Sequence, residues 1–344
     1  MGGEFELIAR LRELTERAGA GGRPPPDRVV IASGDDAAVT VPRGATATSV
    51  DAIVDGIHFR RSETPPRSVG HKALAAALSD LAAMGAEGGE AYVILGVPPD
   101  LDEPALDAIG SGLAGVAAEH RVTILGGDIT RAPVLWLGVT VVGHAASAAD
   151  LVPRAGAAPG DVLAVTGELG GAAAGLALIE SPGLAHGLDP RLADGLRRRQ
   201  LEPRPRLDAG RTLATGSLVT AMIDISDGLG ADAGHLATAS GVQVEIEIEL
   251  LPIAPGVREV ADAAGLDPID LATAGGEDYE LLASIPPDRC DDAIAAVAAT
   301  GLPLTRIGRV REGSGAIIRT RDGARPAPSG FDQLRPSRAP SAPA

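Results

Sequence analysis

IDISDGLGAD, residues 223–232, places three aspartates within nine positions. Apolar residues run in from one side and glycines follow on the other. This reads as a buried strand that ends in an acidic loop, with a helix opening at about 229. Carboxylates crowded at the end of a buried strand need a counter-charge, because a buried unpaired charge costs several kcal/mol. The first half of the chain carries an echo, SVDAIVDG at 49–56, too short to establish a duplication.

Working outward, strands and helices alternate on both sides. In the first half VVIAS, AAVTV, ATATSVDAIV, AYVILGV, VTILGG and VLWLGVTVVGH read as strands. SVGHKALAAALSDLAAMG and PALDAIGSGLAGVAAEH read as helices, and residues 4–18 as a short amphipathic helix. In the second half DVLAVTG, LVTAMIDIS, VQVEIEIEL, ELLASI and LTRIGRV read as strands. Helices are expected up to about Glu180 and over 207–215, 229–240 and 287–300. Such alternation points to α/β or α+β layers, and the length to two domains. SAADLVPRAGAAPGD, 147–161, is small, polar and punctuated by Pro and Gly, so the division expected is 1–146 and 147–334. The Pro/Ala/Ser-rich tail 335–344 is expected to be disordered.

A formal net charge of −16 argues against nucleic acid and anionic membrane as partners. No apolar run is long enough to span a bilayer, and MGGEFELIARL lacks the layout of a signal peptide. The one cysteine, Cys290, excludes an internal disulfide framework and a thiolate zinc site. A cytoplasmic protein is expected. An acidic protein with an anionic ligand needs an intermediary, and a divalent cation is the obvious one.

Five acidic stretches stand out: GDDAAV with Asp35 and Asp36, SVDAIVDGIHF with Ser49, Asp51, Asp55 and His58, ALSDLAAMGA with Asp80, ILGGDITRA with Asp128, and MIDISDG with Asp224, Ser226 and Asp227. Taken singly, each reads as well as a turn or a helix cap. Asp80 fits that poorly, because it lies mid-helix on the face of Ala73, Ala76, Ala77 and Met84. The chain has a single lysine, Lys72, so the partners expected for these acids are arginine or metal. A carboxylate-rich, thiol-free donor set suits Mg²⁺, which in turn suggests phosphates. There is no G-x-x-x-x-G-K-[ST], and no G-x-G-x-x-G between a strand and a helix. The glycines of TGELGGAAAGL, 166–176, are read as close helix–strand packing in preference to a phosphate cradle.

GDDAAV, SVD followed by DGIHF, KALAAALSDLAAMGA, GGDITR, IDISDGLGAD and GGEDYELL occur in that order. The chain thereby resembles the thiamine-monophosphate kinase family over nearly its whole length. The resemblance implies a two-domain fold of the aminoimidazole ribonucleotide synthetase type, with N-terminal sheets of two subunits pairing into a barrel across a homodimer. It implies direct transfer of the ATP γ-phosphoryl group to thiamine monophosphate, with several Mg²⁺ ions. Carried over by motif, the metal ligands are Asp36, Ser49, Val50 (through its carbonyl only), Asp51, Asp80, Asp128, Asp224 and Asp227. Gly127, Asp128, Arg154 and Ser226 border the nucleotide, and His58, Glu277 and Phe331 contact the thiamine substrate. Asp128 and Asp227 are the pair expected to matter most to the chemistry. Two positions depart from the family: Val50 where Thr is frequent, and His120 where Tyr is frequent. Selenophosphate synthetase is disfavoured by the lack of an N-terminal cysteine, and aminoimidazole ribonucleotide synthetase by GGEDYEL. A non-catalytic nucleotide- and metal-binding protein is disfavoured by the retained acids.

Overall fold

The computed structural model describes residues 13, 28–32, 37–42, 44–321 and 323–330. All of the helix expected over 4–18 except residue 13, together with Asp35, Asp36, Phe331 and the tail from 335, lies outside the described residues.

The first domain opens with a two-stranded ribbon, β1 (Val29–Ile31) and β2 (Val39–Thr40). Next come β3 (Ala45–Val54), α1 (Pro66–Ala83), β4 (Glu87–Val97), α2 (Glu103–Glu119), β5 (Thr123–Arg131) and β6 (Trp136–Ala145). The last four strands form one sheet in the order β3-β6-β4-β5. β4 and β5 are parallel, joined by the α2 crossover, and the other pairs are antiparallel. One face of this sheet is core: Leu137, Val139 and Val141 of β6 are buried. The opposite face is open, with Val50 and Ile94 exposed.

The second domain comprises β7 (Val162–Thr166), α3 (Gly171–Glu180), α4 (Pro190–Leu201), α5 (Leu207–Thr215), β8 (Ala221–Asp224), α6 (Leu229–Ser240), β9 (Gln243–Glu247), α7 (Val257–Ala264), α8 (Pro268–Thr273), β10 (Leu281–Ile285), α9 (Cys290–Ala298), β11 (Leu304–Arg311), β12 (Gly315–Thr320) and β13 (Gly323–Pro326). Its strands form a seven-stranded sheet in the order β13-β12-β9-β11-β7-β10-β8, antiparallel except for β12 beside β9.

α1 sets the geometry of the whole molecule. It packs on β3 and β6 of its own sheet and on α5 and β8 of the second domain. Its Leu74 and Leu78 share a core cluster with Leu213, Met222, Leu281 and Leu304. A helix enclosed from both sides must be apolar nearly all round, which KALAAALSDLAA is. Any polar residue on it therefore lies at the junction of the domains.

Most expected elements are present, and the differences have local causes. The expected strand LVTAMIDIS is paired only over Ala221–Asp224, opposite β10. VQVEIEIEL stops at Glu247, where its pairing with β11 has ended at Gly308 and its pairing with β12 ends at Arg319, and Ile248–Leu250 turns as a 3₁₀ segment. α4, α7, α8, β12 and β13 fall in stretches given no assignment from sequence. α8 is only 6 residues long and β13 only 4, too short for a periodic pattern to register.

Candidate active site

Four elements from the two domains converge. β3 carries Ser49 and Asp51 on the face opposite the exposed Val50. α1 carries Lys72, Ser79 and Asp80, spaced seven and eight residues apart and so on one side of the helix. β8 ends in Asp224. The loop before β10, GGEDYE, runs back along the end of β8: Glu277 N–H donates to Ser226 O at 2.8 Å and Tyr279 N–H to Ile225 O at 2.9 Å. Gly276 permits this approach, since a Cβ there would meet Ser226 O at 2.6 Å. Glu277 and Tyr279 have φ of 69° and 51°. Two non-glycine residues in the left-handed region store local strain, and such strain concentrates where side chains are held for a purpose.

The carboxylates share hydroxyl donors. Ser49 Oγ donates to Asp80 Oδ2, and Ser79 Oγ donates to Asp224 Oδ2 at 2.7 Å. Burial pushes Asp51 up; Asp80 and Glu277 add to the shift, while the Ala52 N–H and His58 oppose it. Burial, then Asp80, push Asp224 up to about 7, against Ser79 and Arg154. Tyr279 is buried and pushed well above its usual value by burial, then by Glu277, Asp51, Asp224 and Asp80. These groups therefore feel one another's charge, and their hydroxyl and amide donors do not neutralise it. An all-oxygen set of this kind, lacking thiols, fits a hard divalent cation.

The acid-loop helix supplies a second group. Asp232 on α6 accepts the N–H groups of Asp227 and Gly228, both at 3.1 Å. Burial, then Asp224 and Asp227, push it up to about 8. Ligand atoms of Asp227, Asp232 and His235 lie within 4.8 Å of one another.

On the acceptor side, Glu277 is held at both oxygens. Lys72 Nζ pairs with Oε1 at 2.6 Å and Gln200 Nε2 donates to Oε2 at 2.6 Å. Lys72 Nζ also donates to the His58 carbonyl at 3.3 Å. The Val54 N–H donates to His58 Nδ1 at 3.1 Å, so the ring proton resides on Nε2, which is buried without a partner.

The structure thus brings Ser49, Asp51, Asp80, Asp224, Ser226, Glu277 and His58 to one region, with Asp227 and Arg154 at its border. Asp80 is half-buried: its neighbours Ala73, Ala76 and Ala77 face the core, and the helix opens toward the cluster at Asp80. Arg154 is exposed and close enough to Asp224 to lower its pKa. Asp128 is different. It is exposed on β5, in the ladder row of Ile94, Gly138 and Ala52, one row from Asp51, and the bonds that tie the cluster do not include it. Gly127 beside it has φ 155°, and a Cβ there would meet Val93 O at 1.8 Å. His120 caps α2 among Glu119, Asp208, His71 and Arg204, with burial holding its imidazole below the usual value.

The sequence reading set Lys72 aside as a partner for the acids; the structure places it in the site. Ser79, Gln200, Tyr279, Asp232 and His235 were also not singled out. The helical spacing of Lys72, Ser79 and Asp80 was the available signal for two of them. The N-terminus of α3 carries no open cradle: Asp278 accepts from Gly170 N and Ala172 N at 2.7 and 3.1 Å. The glycines of 166–176 serve that packing.

Family models agree with this architecture. "AIR synthase related protein, N-terminal domain" matches residues 34–145, and "AIR synthase related protein, C-terminal domain" matches 158–320. A thiamine-monophosphate kinase of Salmonella typhimurium is 36% identical over 326 residues, covering 93% of this chain and 94% of that protein. The chain belongs to the thiamine-monophosphate kinase family. Within the family, the crystal structure of thiamine-monophosphate kinase from Stenotrophomonas maltophilia superposes with a TM-score of 0.79 at 36% identity, covering 92% of this chain and 96% of that one. AaThiL complexed with AMPPCP and TMP superposes with a TM-score of 0.72 at 30% identity, covering 94% and 96%. The two-domain fold expected from the motifs is the family's fold. No helix among the described residues is long and apolar enough to cross a membrane.

Proposed function

We propose that this chain transfers the γ-phosphoryl group of ATP directly to thiamine monophosphate, giving thiamine diphosphate and ADP. The observation that carries the reading is the convergence of Asp51, Asp80, Asp224 and Glu277 from two domains, with burial pushing Asp224 up to about 7. Such a cluster is built to receive cations. The relatives named as thiamine-monophosphate kinases, and the AaThiL complex with AMPPCP and TMP, supply the substrates.

Ser49, Asp51, Asp80, Asp224 and Asp227 would hold magnesium, with the Val50 carbonyl, Asp128 and Asp36 assigned to the same role by motif. Bound there, magnesium supplies the neutralisation that lets two anionic phosphates approach in line. The acceptor oxygen is already ionised at neutral pH, so no side chain need remove a proton. Arg154 lies where it can meet a phosphate that Asp224 alone would repel. The buried Nε2–H of His58 offers a donor to the acceptor, and Glu277, held by Lys72 and Gln200, offers an acceptor or a counter-charge to it. Ser79 and Ser49 fix the rotamers of Asp224 and Asp80.

The same reading makes the protein a homodimer through the open face of the N-terminal sheet, and divides the chain near residue 147. The test of the activity is ADP release with and without thiamine monophosphate, run against a panel of small phosphate esters. Release that ignores thiamine monophosphate, or that follows another ester better, overturns it.

A further inference from the structure

We infer that Lys72, the chain's single lysine, is the positioning residue of the acceptor half of the site, acting through Glu277 and His58; this rests on the kinase reading above. Its side chain is 3% exposed, and two groups from different domains bond its ammonium group. One is the Glu277 carboxylate of the second domain, at 2.6 Å. The other is the His58 carbonyl of the first, at 3.3 Å. Both residues belong to the acceptor side, and neither lies within a helix or a strand. His58 follows β3 in a turn, and Glu277 sits at φ 69° in the loop before β10. Without a tie, the strained Glu277 backbone would favour relaxation, and the carboxylate would follow.

Charge supports the same conclusion. Glu277, Asp51, Asp224 and Asp80 all bear on the one buried Tyr279, so Glu277 belongs to a field of like charges that works to expel it. Lys72 opposes that field at one oxygen of Glu277, and Gln200 holds the second. Arginines elsewhere form mostly surface pairs; this one buried ammonium lies on the helix that both domains enclose. Its placement fixes the separation of His58 and Glu277, which is the dimension an acceptor must fit.

The experiment compares the wild type with Lys72→Met, Gln200→Leu, Glu277→Gln and the Lys72→Met/Glu277→Gln double variant, in the full chain with Mg²⁺. Losing a charge-assisted tie should raise the KM for thiamine monophosphate by about tenfold or more. Binding of AMPPCP should stay within about twofold of wild type, because the nucleotide side is untouched. The double variant should be no worse than Glu277→Gln alone within about twofold, since a residue that acts through another has nothing left to position. Gln200→Leu tests the other oxygen of the same carboxylate and keeps the inference open to refutation if Lys72→Met does not fold. In protein carrying ¹⁵N only at lysine Nζ there is one signal, which should move on adding thiamine monophosphate without nucleotide. A wild type indifferent to thiamine monophosphate overturns the kinase reading and this inference together. A wild type that responds, with unchanged KM in both Lys72→Met and Gln200→Leu or with fully additive losses in the double variant, overturns the inference alone.

Discussion

Ser79 Oγ donates to Asp224 Oδ2 at 2.7 Å, across 145 residues and between the two domains. The serine is on the helix that both domains enclose, and the aspartate ends a four-residue strand. One hydrogen bond thus sets the rotamer of a carboxylate whose burial and neighbours disfavour its charge. Asp224→Asn removes that charge and keeps the shape. The metal-free variant should melt at or above the wild-type temperature, because repulsion from Asp80 and Asp232 is relieved. Turnover should fall by a factor on the order of a hundred or more, since a missing cation ligand leaves phosphate repulsion uncompensated. Calorimetry in chelator beside an ADP-release assay reads both. A variant that unfolds while its folded fraction turns over normally would make Asp224 a structural residue.

The same groups give a pH dependence of a definite sign. Asp224 and Asp278 are each pushed from 3.8 to about 7 in the folded protein, and Asp232 to about 8. Between those values the folded state binds protons that the unfolded state has released, so stability falls as pH rises. Their contribution is complete below 3.8 and gone above about 8. Carboxyls held low by arginine, such as Glu245 beside Arg319, act in the opposite sense but below their ordinary value. The melting temperature in chelator should therefore decline between about pH 4 and 8, and Asp224→Asn should flatten the decline without abolishing it, because Asp278 and Asp232 remain. A slope unchanged in the variant counts against the burial argument.

Away from the cluster, the loop that bears Glu277 is anchored by Glu280. This carboxylate is fully buried and takes Arg206 Nε at 2.8 Å and Thr166 Oγ1 at 2.7 Å. Arg206→Met would leave the charge uncompensated, which in buried pairs costs about 3–5 kcal/mol, toward the low end here because Arg206 is 20% exposed. Arg206→Met/Glu280→Leu should recover most of that loss, since apolar replacement of both partners is often neutral. Urea titration of both variants measures it. Additive destabilisation would show that the pair is not the anchor.

The sequence carried the fold because the acidic motifs sit where strands and helices end, and those ends are marked by apolar runs and glycine. ATATSVDAIV and the helix over 229–240 were legible for that reason. The short elements α8 and β13 were not, because tertiary pairing rather than periodicity makes them. In the site, the carboxylates were legible by their excess. Lys72, Gln200 and Ser79 were not, because one lysine in an alanine-rich helix, one glutamine in an arginine-rich one and one serine carry no pattern. Their meaning arises only when α1 and α4 are brought against the loop at 277. The row offset that sets Asp128 apart from Asp51 is a register, which no local stretch encodes.

Asp128 shares its ladder row with Ile94, Gly138 and Ala52 on the open face of the N-terminal sheet, and that face carries the clearest prediction of assembly. Val50 is 72% and Ile94 43% exposed there, while Leu137, Val139 and Val141 of the central strand fill the opposite face. Among the described residues β3 is an edge strand with no partner along its outer side, a template for association unless it is covered. A second copy meeting the first across this face and edge covers both at once, and twofold pairing is the commonest such solution. The wild type should therefore behave as a dimer by light scattering at micromolar concentration. Ile94→Glu places a charge in the middle of the covered face, beside Asp128 and one row from Asp51, and should yield a monomer with native circular dichroism. A wild-type monomer, or an Ile94→Glu protein that remains dimeric, would mean that this face is not the interface.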